Sequence, residues 1–299
     1  MDRFEAMSLL LAAVEAGSFS AAARRLGTPL ATVSRKVSEL EGHLGTRLLT
    51  RTGRRLALTD AGRTYVEAAR RIVEQVEEAE RAAAGEYAAP RGELTVTAPI
   101  AFGRLYVLPV VLDFLKAYPE IDVRLSLSDR LVHLLEDHID VAVRIGDLAD
   151  SNLIATRVGA IRPIVCASPG YLAARGTPLH PRDLAQHDVI TFEGLAAGVG
   201  WTMGEGAPPP AALHARLSVT TAEAAIDAAI AGIGVTRVLS YQAAGALGSG
   251  ALVAILREFE PPGWPVHLVH AGQGPLPQKL RAFLDFAAPR LRATLAAAQ

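Results

Sequence analysis

Gly17, Gly27 and Gly45 cut the start of this chain into three segments of a few helical turns each, too short to be stable helices alone in water. Such segments must pack against one another. Phe4, Met7, Leu11 and Val14 recur at helical spacing, which predicts an amphipathic helix over 3–16. Ser18 or Ser20 is placed to cap a second helix over 21–26. Thr28 as N-cap and Pro29 at the first helical position open a third. In it Val33, Val37, Leu40 and Leu44 share one face, with Thr32, Arg35 and Lys36 off that face. Two short helices joined by a tight glycine turn, the second carrying small polar and basic groups near its start, form a helix-turn-helix pattern.

After Gly45 the pattern becomes strand-like. Residues 48–51 and 55–58 read as a small hairpin, with Thr52, Gly53 and Arg54 at its tip. Such a wing, carrying Arg51, Arg54 and Arg55, can track phosphates or enter a minor groove. The whole 299-residue chain has a formal charge of −1, but the charge is unevenly placed. Between residues 20 and 59 lie eight basic residues and two acids, a local +6 on an otherwise neutral molecule. Several agreeing signals therefore point to double-stranded DNA.

A long helical stretch follows from Thr59 to about Tyr87, with no proline, which would span about 40 Å. Tyr65, Ala69, Ile72, Val76, Ala79 and Ala83 are spaced four, three, four, three, four, a heptad seam between charged flanks. The alternatives are a helix packed on its own domain or one paired with a copy of itself, and the charged flanks favour the copy. A homodimer would present two recognition helices. Residues 88–92, with Pro90 and Gly92, make the hinge.

From residue 94 onward strands and helices alternate. Strands are predicted over 94–98, 122–127, 141–145, 162–167, 189–192, 216–219, 234–238 and 266–271. Helices are predicted over 102–117, 131–137, 169–174, 222–231 and 277–289. This rhythm implies α/β architecture with largely parallel sheets, long enough for two small sheets with a ligand cleft between them.

Enzyme and metal readings find little support. Cys166 is the only cysteine and sits in an apolar strand-like run, so no intramolecular disulfide is possible and an inert buried thiol is expected. His133 and His138 are five apart, unsuited to one helix face, and His267 and His270 point to opposite faces of a strand. Gly232-Ile233-Gly234 lacks the strand-before, helix-after context of a dinucleotide loop. No cofactor is expected. The acidic, amphipathic N-terminus is unlike a signal peptide and no apolar run is of spanning length, so a cytoplasmic location without a membrane partner is expected.

Residues 18–26 (SFSAAARRL), 32–41 (TVSRKVSELE), 44–49 (LGTRLL) and 58–62 (LTDAG) carry a clear likeness. So do Tyr118-Pro119-Glu120 and residues 140–146 (DVAVRIG). Over essentially its whole length the chain resembles the LysR-type transcriptional regulators. The resemblance implies a winged helix-turn-helix over 1–59 and a dimerising linker helix with hinge over 60–90. It further implies a periplasmic-binding-protein-like effector domain over 91–299. The latter divides into subdomain I, about 91–161 and 267–299, and subdomain II, about 162–266. Tetramers are common in the family. One departure concerns base reading: the family often has Gln then Pro at the first turn of the recognition helix, where this chain has Leu30 and Ala31. Leu30 can touch a thymine methyl but cannot hydrogen-bond a base edge. The DNA-contacting candidates are Thr28, Pro29, Leu30, Thr32, Ser34, Arg35 and Lys36 with the wing arginines.

For the effector, helix starts that face a cleft offer N–H groups and dipoles to an anion. Thr97, Pro99 and Ile100 sit where the first strand becomes the first helix. Ser128 opens another turn, and Thr220 and Thr221 another helix in a capping-box spacing with Glu223. Arg144 at a strand end can meet a carboxylate or a structural ion pair, and Trp201 can wall the pocket or shield a sheet edge. The convergence of these residues on one cleft is implied by the resemblance. With no cluster of acids in these segments, a small organic effector that is anionic or polar is expected rather than a cation. A binding protein without a transcriptional role, or an enzyme, are the alternatives.

Overall fold

The computed structural model describes residues 2–52, 55–83, 89–130, 134, 137–148, 152–192, 201, 203–204, 213–272 and 276–297. Side chains of residues 51, 52, 55, 78 and 81–83 are outside that description. The chain divides into two compact units, Met1–Ala89 and Pro90–Gln299.

The first unit holds α1 (Arg3–Glu15), α2 (Phe19–Leu26), α3 (Leu30–Leu44), the hairpin β1 (Leu49–Thr52) and β2 (Arg55–Leu58), and α4 (Asp60–Ala83). Leu9 through Ala13 are consecutively buried, so α1 is the centre of the head rather than a one-sided surface helix. Phe4, expected on the apolar face, is instead 37% exposed. Ser18 caps α2, accepting from the Ala21 N–H at 3.1 Å. The start of α3 is shifted by one residue from expectation. Pro29 is its N-cap, accepting from Thr32 N and Val33 N, and no side chain caps it. The Thr28 hydroxyl donates to the Leu26 carbonyl instead.

The second unit carries two five-stranded sheets. The first has the order β4-β3-β5-β12-β6, made of Ile121–Leu127, Gly92–Ala98, Val141–Ile145, Trp264–Ala271 and Leu153–Ile161. The second has the order β11-β7-β10-β8-β9, made of Val253–Ile255, Pro163–Ala167, Val235–Leu239, Asp188–Phe192 and His214–Val219. The sheets are mixed, not largely parallel. β3 is parallel to β4 and β5, but β12 is antiparallel to both β5 and β6. In the second sheet β8 is parallel to β9 and β10, whereas β7 is antiparallel to β10 and β11. The antiparallel members, β7 and β12, are the strands that the chain enters on passing from one sheet to the other, at Arg162 and again before Trp264. The Arg162 guanidinium and the Glu260 carboxylate, 3.1 Å apart, tie the two crossing segments together.

The helices are α5 (Ile100–Phe102), a π-helical turn (Gly103–Val107), α6 (Leu108–Ala117), α7 (Pro169–Arg175), α8 (Ala222–Ile230), α9 (Ala244–Gly248) and α10 (Gln278–Ala297). Phe114 of α6 and Phe283 and Leu291 of α10 join Leu268 of β12 in the first core. α10 continues past Pro289 to Ala297, and Leu291 and Leu295 beyond the proline are buried. The helix expected over 131–137 falls largely outside the described residues. Among the described residues no single helix is long and apolar enough to cross a membrane.

Candidate nucleic-acid interface and effector cleft

α3 is held in the head by Val33, Val37 and Leu40, all essentially buried. Its opposite face presents Leu30, 48% exposed, together with Ala31, Arg35 and Ser38, flanked by the half-buried Thr32 and Ser34. Arg35 donates to Glu39 one turn on, at 2.6 Å, and remains mostly exposed. Lys36 does not belong to this face. Its ammonium bonds the Glu5 carboxylate of α1, leaving the side chain only 16% exposed. The 100° step from one helical residue to the next turns it toward α1. Thr28 and Pro29 stand at the helix entry, half-buried and exposed. Ser38, one turn on from Arg35 and not among the expected contacts, is exposed on the same face.

The wing is tied to both of its neighbours. Glu41 of α3 accepts from the Leu48 and Leu49 N–H groups at 2.8 and 3.0 Å. The Thr59 hydroxyl donates to the Arg47 carbonyl at 2.7 Å and accepts from Gly62 N at 2.9 Å, capping α4. Gly62 has a reason to be glycine: a Cβ there would stand 1.9 Å from the Leu48 carbonyl oxygen. Arg51 and Arg55 lie in the wing strands, but their side chains, and Arg54 altogether, are outside the described residues.

The heptad seam of α4 is divided. Tyr65 and Ala69 turn into the head's own core with Val66, so the first two seam positions are not free for a partner. Ile72 is 43% exposed, Val76 half-buried and Ala79 exposed. The side chain of Ala83 is outside the described residues.

In the second unit, the ends of β3 and β4 bring Thr97, Pro99, Ile100 and Ser128 together. The Thr97 hydroxyl is buried and donates to the Ser126 carbonyl at 3.0 Å. Ile100 N–H, at the start of α5, donates to the Asp129 carboxylate at 3.0 Å. Ser128 accepts from Arg130 N at 3.1 Å. The helix start expected to receive a ligand anion is therefore already met by an acid of the chain itself. Arg144 lies at the end of β5 on the same edge, half-buried, and burial lowers its guanidinium pKa. From the other subdomain, Thr221 caps α8 by accepting from Ala224 N at 3.3 Å, beside the exposed Thr220. Trp201 does not join this group. It packs with Tyr171, Leu184 and Leu256 on the second sheet.

Three aromatic rings from two distant segments meet beside this group. Phe102 and Tyr106 stack at 4.8 Å, and Tyr241, which follows β10, meets them edge-on at 5.6 and 5.7 Å. Tyr106 is turned there by the π-helical turn, a distortion that recurs at functional sites. Tyr241 is 7% exposed, and its hydroxyl is buried without a hydrogen-bond partner. Burial raises the Tyr241 phenol pKa, with smaller upward contributions from Asp129 and Tyr106 and a lowering one from the neighbouring Gln242 side chain, which does not reach hydrogen-bond geometry with the hydroxyl. Burial likewise raises the Asp129 carboxyl pKa, opposed by the Ile100 N–H and reinforced by Glu223 on the first turn of α8. Asp129 and Glu223, one from each subdomain, thus stand near enough to act on each other, although neither segment by itself holds a cluster of acids. Cys166 is fully buried, and burial pushes its thiol up to about 12.

Residues 4–63 match the family model described as a bacterial regulatory helix-turn-helix protein of the lysR family, and residues 88–292 match the LysR substrate binding domain. An HTH-type transcriptional repressor of Pseudomonas aeruginosa is 37% identical over 289 residues, covering 96% of this chain and 91% of the relative. An HTH-type transcriptional regulator of Xanthomonas campestris is 38% identical, covering 93% and 82%. Among solved structures, CrgA of Neisseria meningitidis, a LysR-type transcriptional regulator, aligns with a TM-score of 0.60 at 30% identity over 96% of this chain and 98% of that one.

Proposed function

The chain belongs to the LysR family of transcriptional regulators, with a DNA-binding head and an effector-binding domain, and from that premise we propose how its own residues divide the work. Its relatives are regulators, not enzymes. The face of α3 made by Leu30, Ala31, Ser34, Arg35 and Ser38 enters the major groove, and the wing follows the phosphates. The observation that carries this is the exposure of that face above a helix whose other side is sealed into the head. Leu30 gives apolar contact to thymine methyls, and Ser34 and Arg35 supply hydrogen bonds and charge. Ile72, Val76 and Ala79 of α4 pair with a second copy, giving a homodimer that can associate further into a tetramer. Tyr65 and Ala69 brace the helix against its own head.

The effector is a small organic molecule held between the two sheets of the second unit. The Tyr241 hydroxyl, the Thr221 side and the Asp129 carboxylate supply its polar contacts, and Tyr106 an aromatic wall. A polar ligand fits better than a strong anion, since Asp129 already holds the helix start. Ligand binding favours one lobe arrangement, which biases the heads.

The test is operator binding by the full chain as a function of salt. Arg35→Ala should weaken binding and lower the slope of log affinity against log salt by about one. Unchanged affinity and slope would remove α3 as the reading element.

A further inference from the structure

A second pocket lies wholly within the second subdomain, an open depression of 620 Å³ walled by α7, by Asp188 and Arg216 of adjacent strands, and by the end of α8. α8 keeps it apart from the effector cleft. The helix begins beside Thr221 at the cleft and ends at Ile230 in the pocket wall. Its nine residues separate the two by about 13 Å.

At the base of the pocket Asp188 has a side chain only 11% exposed. Two arginines reach the same carboxylate oxygen: Arg175 Nη2 at 3.0 Å and Arg216 Nη1 at 2.9 Å. His214 Nδ1 stands 3.4 Å from the other oxygen. Hydrogen bonds from Arg175 and Arg216 hold the Asp188 carboxyl below its usual range, so this anchor stays ionised. One carboxylate balances one guanidinium; two arginines against one aspartate leave a surplus positive charge in the wall. Convergence on one atom also fixes the guanidiniums relative to each other. Each has five N–H donors, and an arginine pair held this way matches the geometry of a carboxylate or phosphate. The remaining wall is mostly small or apolar, with Ser168 and Tyr171 as its other polar side chains. Ala174 and Ala251 leave room, and Ile230, 41% exposed, offers a surface for a short hydrocarbon body.

We propose that this pocket binds a small organic anion, its carboxylate or phosphate head bridging Arg175 and Arg216 and its apolar body resting on Ile230. This site is separate from the effector cleft and does not depend on the assignment of that cleft. A merely structural role for the arginines would need only one of them to neutralise Asp188.

The experiment is calorimetric titration of the full chain, at low constant ionic strength, with inorganic phosphate, benzoate and the neutral benzamide. Saturable binding of phosphate or benzoate but not benzamide is expected. A tighter phosphate identifies a phosphoryl head and a tighter benzoate a carboxylate. Arg216→Gln leaves Asp188 paired with Arg175 and should weaken binding about tenfold or more. Arg216→Lys keeps the charge, loses the fork and should fall between, which decides the matter even if Arg216→Gln melts early. The proposal is overturned if benzamide binds as well as benzoate, if neither anion saturates, or if both variants bind like the wild type. Operator binding measured without these anions reads the DNA-binding assignment separately.

Discussion

Lys36 reaches back to Glu5, while Arg35, one residue earlier, stands off the helix beside Glu39. Lys36→Ala should therefore cost about 1 kcal/mol or less of head stability, as partly exposed pairs do, and leave most of the operator affinity. Arg35→Ala should do the reverse; thermal melts and fluorescence anisotropy on both variants separate the two. Loss of affinity in Lys36→Ala at unchanged stability would return Lys36 to the DNA face. His187 sets a pH dependence. It is 6% exposed, its Nδ1 lies 3.2 Å from the Tyr171 hydroxyl, and burial, then Arg175, lowers its pKa. The unfolded chain takes up that proton near pH 6.5 while the folded one resists it, so stability is complete above that pH and falls as pH drops toward the lowered value. His267, lowered by burial and by Arg157, adds a loss of the same sign. Asp188, with a depressed pKa, contributes only in more acid solution. The melting temperature should decline from pH 7 to pH 5, and His187→Gln should flatten part of the decline. An identical slope in the variant would show that His187 is not the group responsible.

At the scale of elements, the head depends on how closely α4 approaches the wing. Gly62→Ala would drive a methyl into the Leu48 carbonyl, with only backbone there to yield. It should destabilise the head by about 1–3 kcal/mol or more, measurable by denaturant unfolding of the full chain. A variant as stable as the wild type would mean that α4 can move off the wing freely. Further along α4, Ile72→Glu with Val76→Glu places like charges across the proposed pairing face. Sedimentation should then show smaller species and operator binding should weaken; an unchanged oligomer would restrict this helix to packing within its own chain. The seam was legible only by half. A heptad marks an apolar stripe, but the stripe cannot say how much of it α1 has already covered. The edge strand β6 was missed altogether: its side chains alternate poorly and Gly159 interrupts it, and it is fixed by pairing with β12 and by Leu295 packed against Gly159.

For the molecule as a whole, the proposed effector site draws on residues that follow strands of both sheets. The buried hydroxyl of Tyr241 lacks a partner, so Tyr241→Phe should leave stability unchanged or slightly raised, since it removes an unsatisfied polar group. If that hydroxyl meets the effector, the same change should weaken effector response while sparing DNA binding without effector. Melting curves and effector-dependent operator binding provide both readouts, and a full response in the variant would move the polar contact away from Tyr241. The Arg162–Glu260 pair sits where both crossing segments run, the place at which lobe movement would be felt.

Local order alone determined the head and most of the second unit's elements. Glycine punctuation, capping residues and the spacing of Val33, Val37 and Leu40 act over a few residues, and so does the strand–helix rhythm after residue 94. What tertiary structure decided depends on residues far apart in the chain. Lys36 was drawn off the exposed face of α3 by Glu5, and each sheet became mixed where a strand enters it from the other sheet. Tyr106, Asp129, Glu223 and Tyr241, from separate segments, were brought close enough to act on one another, which is what supports the proposed effector site. Periodicity fixes which side of an element is apolar, but what that side meets is set by long-range packing and by charges paired through space.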